Sequence, residues 1–168
     1  MGLEEHRQQA AGSRAFAVVT VSDTRDAGSD RGGAYLVSAL EAAGHRVARR
    51  ALVPDEIGAI RDAVRAACAA AEVELVLLTG GTGIAPRDVT PEALEGLFER
   101  RIPGFGELFR QLSYAEIGSA ALLSRAVGGV VGDTVVLALP GSPKALRLAL
   151  ESIVLPEAGH LISQARGR

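Results

Sequence analysis

The sequence predicts an α/β fold class, a three-layer α/β/α sandwich around a mostly parallel mixed sheet. Three observations predict it. Apolar, β-branched runs alternate along the chain with segments whose apolar residues recur at helical spacing. Several of these runs feed directly into loops built from Gly, Pro, Asp and Ser. Two late runs are separated only by Gly132-Asp133, a two-residue hairpin turn that makes part of the sheet antiparallel.

The elements follow in order. Residues 15–21 read as a buried strand and 22–29 as a polar loop. Asp30 is placed to cap a helix that ends at Gly44, with Leu36, Val37, Leu40 and Ala43 on its inner face. Residues 47–53 alternate, interrupted by Arg49 and Arg50, and predict a more exposed strand. Pro54-Asp55 opens a second helix with the stripe Ile57, Ile60, Val64, Ala67, Cys68 and Ala71. Residues 74–79 form the next strand. Thr90-Pro91 reads as a cap with proline at the first helical position, the helix running to about Arg100. Pro103-Gly104 breaks the chain, and the following helix is built on Phe105, Leu108, Phe109 and Leu112. A connection around residues 119–124 leads to strands at 126–131 and 134–139. Ser142-Pro143 again caps a helix with proline following, and Pro156 restarts or kinks the terminal helical stretch.

Composition excludes several classes. The 168 residues are 48% hydrophobic, enough for one domain with a sizeable core and no staples. Residues 1–13 read as a polar tail, with Glu4 and Glu5 ruling out a secretory signal, and residues 14–168 as a single domain. A net charge of −2 gives no basic field for nucleic acid, and four Phe, two Tyr and no Trp offer little stacking surface. No apolar run reaches the roughly 18 residues that span a membrane, so a cytoplasmic protein is expected. Cys68, the one cysteine, excludes an internal disulfide and reads as core. The three histidines lack ligand spacing for zinc.

Chemistry is expected beyond the carboxyl ends of the strands, where open α/β sheets bind ligands. The run Thr79, Gly80, Gly81, Thr82, Gly83 can aim several backbone N–H groups into one concavity, as phosphate sites require. Asp88 beside such a site needs a cation between itself and the phosphate, which favours Mg²⁺ over a mere brace for the Thr90-Pro91 turn. A second wall is Pro140, Gly141, Ser142, Pro143 and Lys144, and Lys144 is the only lysine among 18 basic residues. Asp55 reads either as a helix cap or as a catalytic carboxylate, and Asp23, after Ser22, either as turn chemistry or as a ligand contact. Ser124-Arg125 fits a phosphate clamp or a solvated helix end. Ile84 after the glycines excludes a P-loop, and no Gly-x-Gly-x-x-Gly follows the first strand. Leu122, Leu123, Val127, Phe105 and Phe109 fit a subunit interface or a monomer core.

The joint pattern resembles a known family. Thr-Gly-Gly-Thr-Gly-Ile-Ala-Pro-Arg-Asp-Val-Thr-Pro-Glu-Ala at 79–93 is similar to the signature of the MoaB/MogA molybdenum-cofactor biosynthesis proteins. So are Val-Thr-Val-Ser-Asp-Thr-Arg at 19–25, Val-Pro-Asp-Glu at 53–56, Pro-Gly-Phe-Gly-Glu at 103–107, Leu-Ser-Arg-Ala-Val at 123–127 and Leu-Pro-Gly-Ser-Pro-Lys at 139–144. The last of these and residues 105–114 look more like the MoaB branch. The resemblance implies a single molybdopterin-binding domain over 14–168, assembled as a homotrimer or homohexamer. It implies adenylylation of molybdopterin from Mg·ATP, releasing pyrophosphate, with the product passed to a molybdate-insertion protein. The residues matching Asp55 and Asp88 would carry activity and metal. The glycine loop, Ser22, Asp23, Ser124, Arg125, Pro140, Gly141, Ser142 and Lys144 would contact pterin or nucleotide. A non-catalytic pterin-binding or assembly role of the MoaB branch is the alternative the resemblance leaves.

Overall fold

A computed structural model describes residues 12–167; most of the predicted polar tail lies outside the described residues. The strands are β1 (Ala15–Val21), β2 (Arg46–Val53), β3 (Leu75–Thr79), β4 (Arg100–Arg101), β5 (Val127–Val131) and β6 (Thr134–Leu139). The helices are α1 (Arg31–Ala42), α2 (Ile57–Ala69), α3 (Thr90–Glu95), α4 (Pro103–Ile117), α5 (Pro143–Ala149) and α6 (Leu155–Ala165). A 3₁₀ stretch, Gly118–Leu123, follows α4, and a π-helical turn, Leu150–Val154, joins α5 to α6 ahead of Pro156.

The six strands form one sheet in the order β2-β1-β3-β6-β5-β4. β2, β1, β3 and β6 run parallel, while β5 pairs antiparallel with β6 through the predicted hairpin, Val131 opposite Thr134. β1, β3 and β6 are buried on both faces, which explains their continuous apolar runs. Phe16, Val18, Leu75, Leu77, Leu137 and Leu139 face one core with Leu36 and Leu40 of α1 and Phe105 and Phe109 of α4. Ala17, Val19, Val76, Leu78, Val136 and Ala138 face the other, with Ile60 and Val64 of α2 and Leu94 of α3. Among the described residues no helix is long and apolar enough to cross a membrane.

The chain leaves β1 for β2 on one side and returns to β3 on the other. That reversal is a topological switch point, and the region above the carboxyl ends of β1 and β3 is where such sheets place their ligand crevice. The loops after β1, β2, β3 and β6 all emerge there.

Several local expectations are corrected. α3 ends at Glu95 rather than near Arg100, and residues 100–101 instead form the short edge strand β4. Two exposed arginines carry no apolar signal, yet a short charged strand suits a sheet edge. Thr90 is the first residue of α3, with no side-chain cap; its hydroxyl donates instead to Gly80 O at 2.9 Å. Ala43 lies exposed after α1, and Ala71 lies exposed beyond α2. Phe105 and Phe109 are core, whereas Leu122 is 73% and Leu123 46% exposed. Cys68 is half-buried against the second core, and burial pushes its thiol up to about 11, which makes it a poor nucleophile.

Candidate functional site

The glycine loop leaves β3 with its carbonyl groups tied down. Gly80 O accepts from Thr90 Oγ1 at 2.9 Å and Gly81 O from Thr90 N at 3.0 Å. Thr82 O accepts from Arg125 N at 2.8 Å and Gly83 O from Arg125 Nε at 2.8 Å. Among the described residues, the N–H groups of Gly81, Thr82 and Gly83 donate to no protein acceptor. A loop whose carbonyls are engaged and whose consecutive amides are left over is an anion nest. Thr79 and Thr82 are themselves buried, so they shape the loop rather than line it.

Two carboxylates press on this loop. Gly81 has φ +65°, and a methyl group there would collide with Thr90 Oγ1 and sit 2.9 Å from Asp55 Oδ1. A methyl group on Gly83 would lie 2.7 Å from Asp88 Oδ2. Only glycine lets Asp55 and Asp88 approach the backbone that closely. Asp88 Oδ2 also accepts from Ala85 N at 2.9 Å, which fixes the turn between the nest and Asp88.

Asp55 does not cap α2. The cap position is Glu56, without a side-chain bond, and Asp55 Oδ2 accepts from Asp23 N at 3.1 Å instead. Asp55 N returns a bond to Asp23 Oδ1 at 3.0 Å, so the loops after β1 and β2 are clasped reciprocally. Arg87 reaches across from the glycine loop with Nε and Nη2 each 2.9 Å from an Asp23 oxygen. The guanidinium, with the Asp55 N–H, holds the Asp23 carboxyl below its usual range. Asp55 moves the other way: burial raises it, then repulsion from Asp23 and Asp88 adds to the shift. A carboxylate shifted up by burial and by like charges beside it marks a place where a cation would be welcome.

Among the described residues no three His, Cys, Asp or Glu side chains converge as a ready-made metal cage. Two carboxylates, Asp55 and Asp88, press on the loop, the number that a Mg²⁺ ion completing its shell with phosphate oxygens and water would use.

The second wall stands against the first. Thr79 Oγ1 donates to Pro140 O at 3.2 Å, and a methyl group on Gly141 would lie 3.7 Å from Gly80 Cα. Ser142 caps α5 as expected, accepting from Ala145 N at 3.3 Å, while Lys144 is exposed in a cavity it shares with Tyr35, Glu116 and Arg147. Arg125 has a different employment from the predicted clamp. Besides Gly83 O, its guanidinium donates to Asp88 O at 2.6 Å and to Glu92, so it straps the glycine loop to α3. Ser124 Oγ accepts from Ala126 N at 3.3 Å and stays with that strap. Ser22 Oγ accepts from Thr24 N at 3.3 Å and Arg25 N at 3.2 Å, organising the loop after β1. The structure thus gathers Asp23, Asp55, Asp88 and the nest, brings the Pro140–Lys144 wall alongside, and adds Arg87, which the spacing of residue types alone did not single out.

Comparison with known proteins gives the family. A family described as "Probable molybdopterin binding domain" matches residues 17–160. The chain is 47% identical over 167 residues to molybdenum cofactor biosynthesis protein B of Bacillus subtilis, covering 99% of this chain and 98% of that protein. It is 48% identical over 142 residues to the protein of the same name from Escherichia coli K12, covering 84% of each. A crystal structure of a molybdenum cofactor biosynthesis protein B superposes with a TM-score of 0.90 at 45% identity, covering 94% of this chain and 98% of that one. MoaB of Pyrococcus furiosus, described as a tungsten cofactor synthesizing protein, gives a TM-score of 0.78 at 33% identity over 93% of this chain and 99% of its own. The chain belongs to the MoaB/MogA family of molybdenum cofactor biosynthesis proteins.

Proposed function

We propose that this protein is a molybdopterin adenylyltransferase, joining molybdopterin to the adenylyl group of Mg·ATP and releasing pyrophosphate. The observation that carries the reading is the pairing of an amide nest at Gly81–Gly83 with two carboxylates, Asp55 and Asp88, held against it by glycine contacts. Two anionic substrates must meet, so charge has to be neutralised before a phosphate oxygen of the pterin attacks the α-phosphorus and the bond to the β-phosphate oxygen breaks. Asp55 and Asp88 would hold Mg²⁺, which supplies that neutralisation when bound. The nest would take phosphate oxygens on one wall. Ser142 and Lys144 would take them on the other. Neither aspartate needs to act as a base, because the attacking oxygen is already ionised.

The reading puts the reaction in the cytoplasm and makes a molybdate-insertion protein the consumer of the adenylylated pterin. It also makes the protein a homotrimer or homohexamer. Exposed Tyr114, Ile117, Leu122 and Leu123, at the end of α4 and along the 3₁₀ stretch, are the apolar surface a neighbouring subunit would cover.

The test is a coupled assay of pyrophosphate release from molybdopterin and Mg·ATP, with Asp55→Asn and Asp88→Asn beside the wild type. Wild-type turnover with retained fold in both variants and a loss of about 10²-fold or more in kcat supports the reading. A wild type that binds pterin and releases no pyrophosphate makes the protein a binding or assembly module. A fully active Asp88→Asn variant removes the role given to Asp88.

A further inference from the structure

Four basic side chains lie on or next to the loops at the strand ends, and they are employed differently. Arg87 is spent on Asp23. Arg125 is spent on Gly83, Asp88 and Glu92. Lys144 stands exposed, lining a cavity with Glu116 and Arg147. Arg25 is half-buried, and among the described residues its guanidinium makes no hydrogen bond or ion pair.

The position of Arg25 is set by two features. Ser22 Oγ accepts from Arg25 N at 3.2 Å, which turns the loop after β1 over the start of α1. Gly32, in the first turn of α1, is buried and marks where three elements converge. A methyl group there would lie 3.3 Å from Leu146 Cδ1 of α5, 3.4 Å from Arg25 Nη1 and 3.6 Å from Thr79 Oγ1. Thr79 Oγ1 in turn holds Pro140 O at 3.2 Å, the point where the two anion-binding walls meet. The Arg25 guanidinium therefore lies at the seam of the crevice, with Thr79 and the Pro140 loop beside it.

A guanidinium packed into a seam without a carboxylate partner keeps its fork of donors available, and that fork matches a phosphate group. Asp30, the nearest buried acid in sequence, is committed to Thr20, Gly33 and Arg50 and gives Arg25 no counter-charge. We propose that Arg25 is a phosphate anchor, a binding residue that takes the oxygens of a phosphate monoester or of a polyphosphate at the junction of the two walls. The proposal rests on the reading that phosphate-bearing substrates meet in this crevice, and it assigns them a residue outside the glycine and Pro-Gly-Ser-Pro loops.

The experiment is titration calorimetry of wild type, Arg25→Ala and Arg25→Lys with three probes: Mg·ATP, molybdopterin and inorganic pyrophosphate. Melting temperatures of all three proteins are recorded alongside. An anchor predicts that Arg25→Ala weakens at least one probe by about tenfold or more, that Arg25→Lys recovers part of the loss, and that the salt dependence of that probe becomes shallower. Loss confined to Mg·ATP and pyrophosphate assigns Arg25 to the polyphosphate, and loss confined to molybdopterin assigns it to the monoester. Unchanged affinity for all three, with or without a lower melting temperature, makes Arg25 a packing residue of α1 and overturns the proposal. A wild type that binds pyrophosphate through Arg25 but neither substrate leaves the anchor standing and removes the adenylyltransferase reading. A wild type that binds none of the probes removes both.

Discussion

Asp30 and Asp55 are the same side chain in two opposite situations. Asp30 is 3% exposed, yet every neighbour favours its charge. It accepts from Gly33 N at 2.9 Å, from Thr20 Oγ1 at 2.8 Å and from Arg50 Nη2 at 2.9 Å. Burial pushes its carboxyl up, but these bonds outweigh that and hold it below the usual range. Asp55 is half-buried and has the worse company: burial raises its carboxyl, the charges of Asp23 and Asp88 add to the rise, and one backbone N–H opposes it. Its carboxyl is held above the usual range. A carboxylate whose partners complete it supports the fold. A carboxylate left short of positive charge beside a nest of free amides is the one the proposed function assigns to a ligand.

The largest effect that could break this comparison is catalytic. Asp55→Asn is expected to lower adenylylation by about 10²-fold or more while the protein unfolds at or above the wild-type temperature. Asp30→Ala is expected to do the reverse. It removes the cap of α1 and strands Thr20 and Arg50, at a cost of about 2–3 kcal/mol in chemical denaturation, with specific activity per folded molecule near the wild-type value. If Asp30→Ala loses activity without losing stability, the division between the two carboxylates is wrong.

Arg125→Gln should give a smaller effect of mixed kind. The strap to Gly83 O and Asp88 O is lost, which is expected to cost about 1–2 kcal/mol and to weaken Mg·ATP binding through a loosened nest. Differential scanning calorimetry and a Mg·ATP titration on the same sample separate the two. Stability loss with unchanged affinity would mean that the nest holds its shape without the strap.

Much of this arrangement was legible in residue order. β1, β3 and β6 announce themselves because burial on both faces leaves no polar residue to interrupt them except threonine. Asp30, Gly44 and Gly132-Asp133 act locally, so their cap and turns follow from the neighbouring residues. The crevice followed from loop chemistry at the strand ends. What stayed hidden depends on contacts distant in sequence. Thr90 looks like a cap until Gly80 O takes its hydroxyl. Arg125 looks like a phosphate clamp until the glycine loop, some 40 residues earlier, supplies it with carbonyls. β4 exists only because β5 offers Arg100 and Arg101 an edge to pair with. The position of Arg25 shows only where Gly32, Thr79 and Leu146 come together.

The subtlest prediction concerns pH, and its sign differs between the two aspartates. For Asp30 the folded protein holds the carboxyl below its ordinary value of 3.8, so its contribution is fully present above that value and is lost as pH falls through the folded one. The gap in unfolding free energy between wild type and Asp30→Ala should therefore be constant from pH 7 to about 5 and should shrink on further acidification. For Asp55 the folded protein holds the carboxyl above 3.8, so folding favours the protonated form. That preference helps stability below the ordinary value and fades as pH rises through the folded one. At neutral pH the ionised Asp55 then opposes folding slightly, and Asp55→Asn should be a little more stable than wild type, with the advantage vanishing in acid. Urea titrations of wild type and the two variants at pH 7, 5 and 3.5 read both trends. An Asp55→Asn variant less stable than wild type at pH 7 would show that the clasp to Asp23 outweighs the repulsion from Asp23 and Asp88. The Asp55 carboxylate would then belong, with Asp30, to the scaffold.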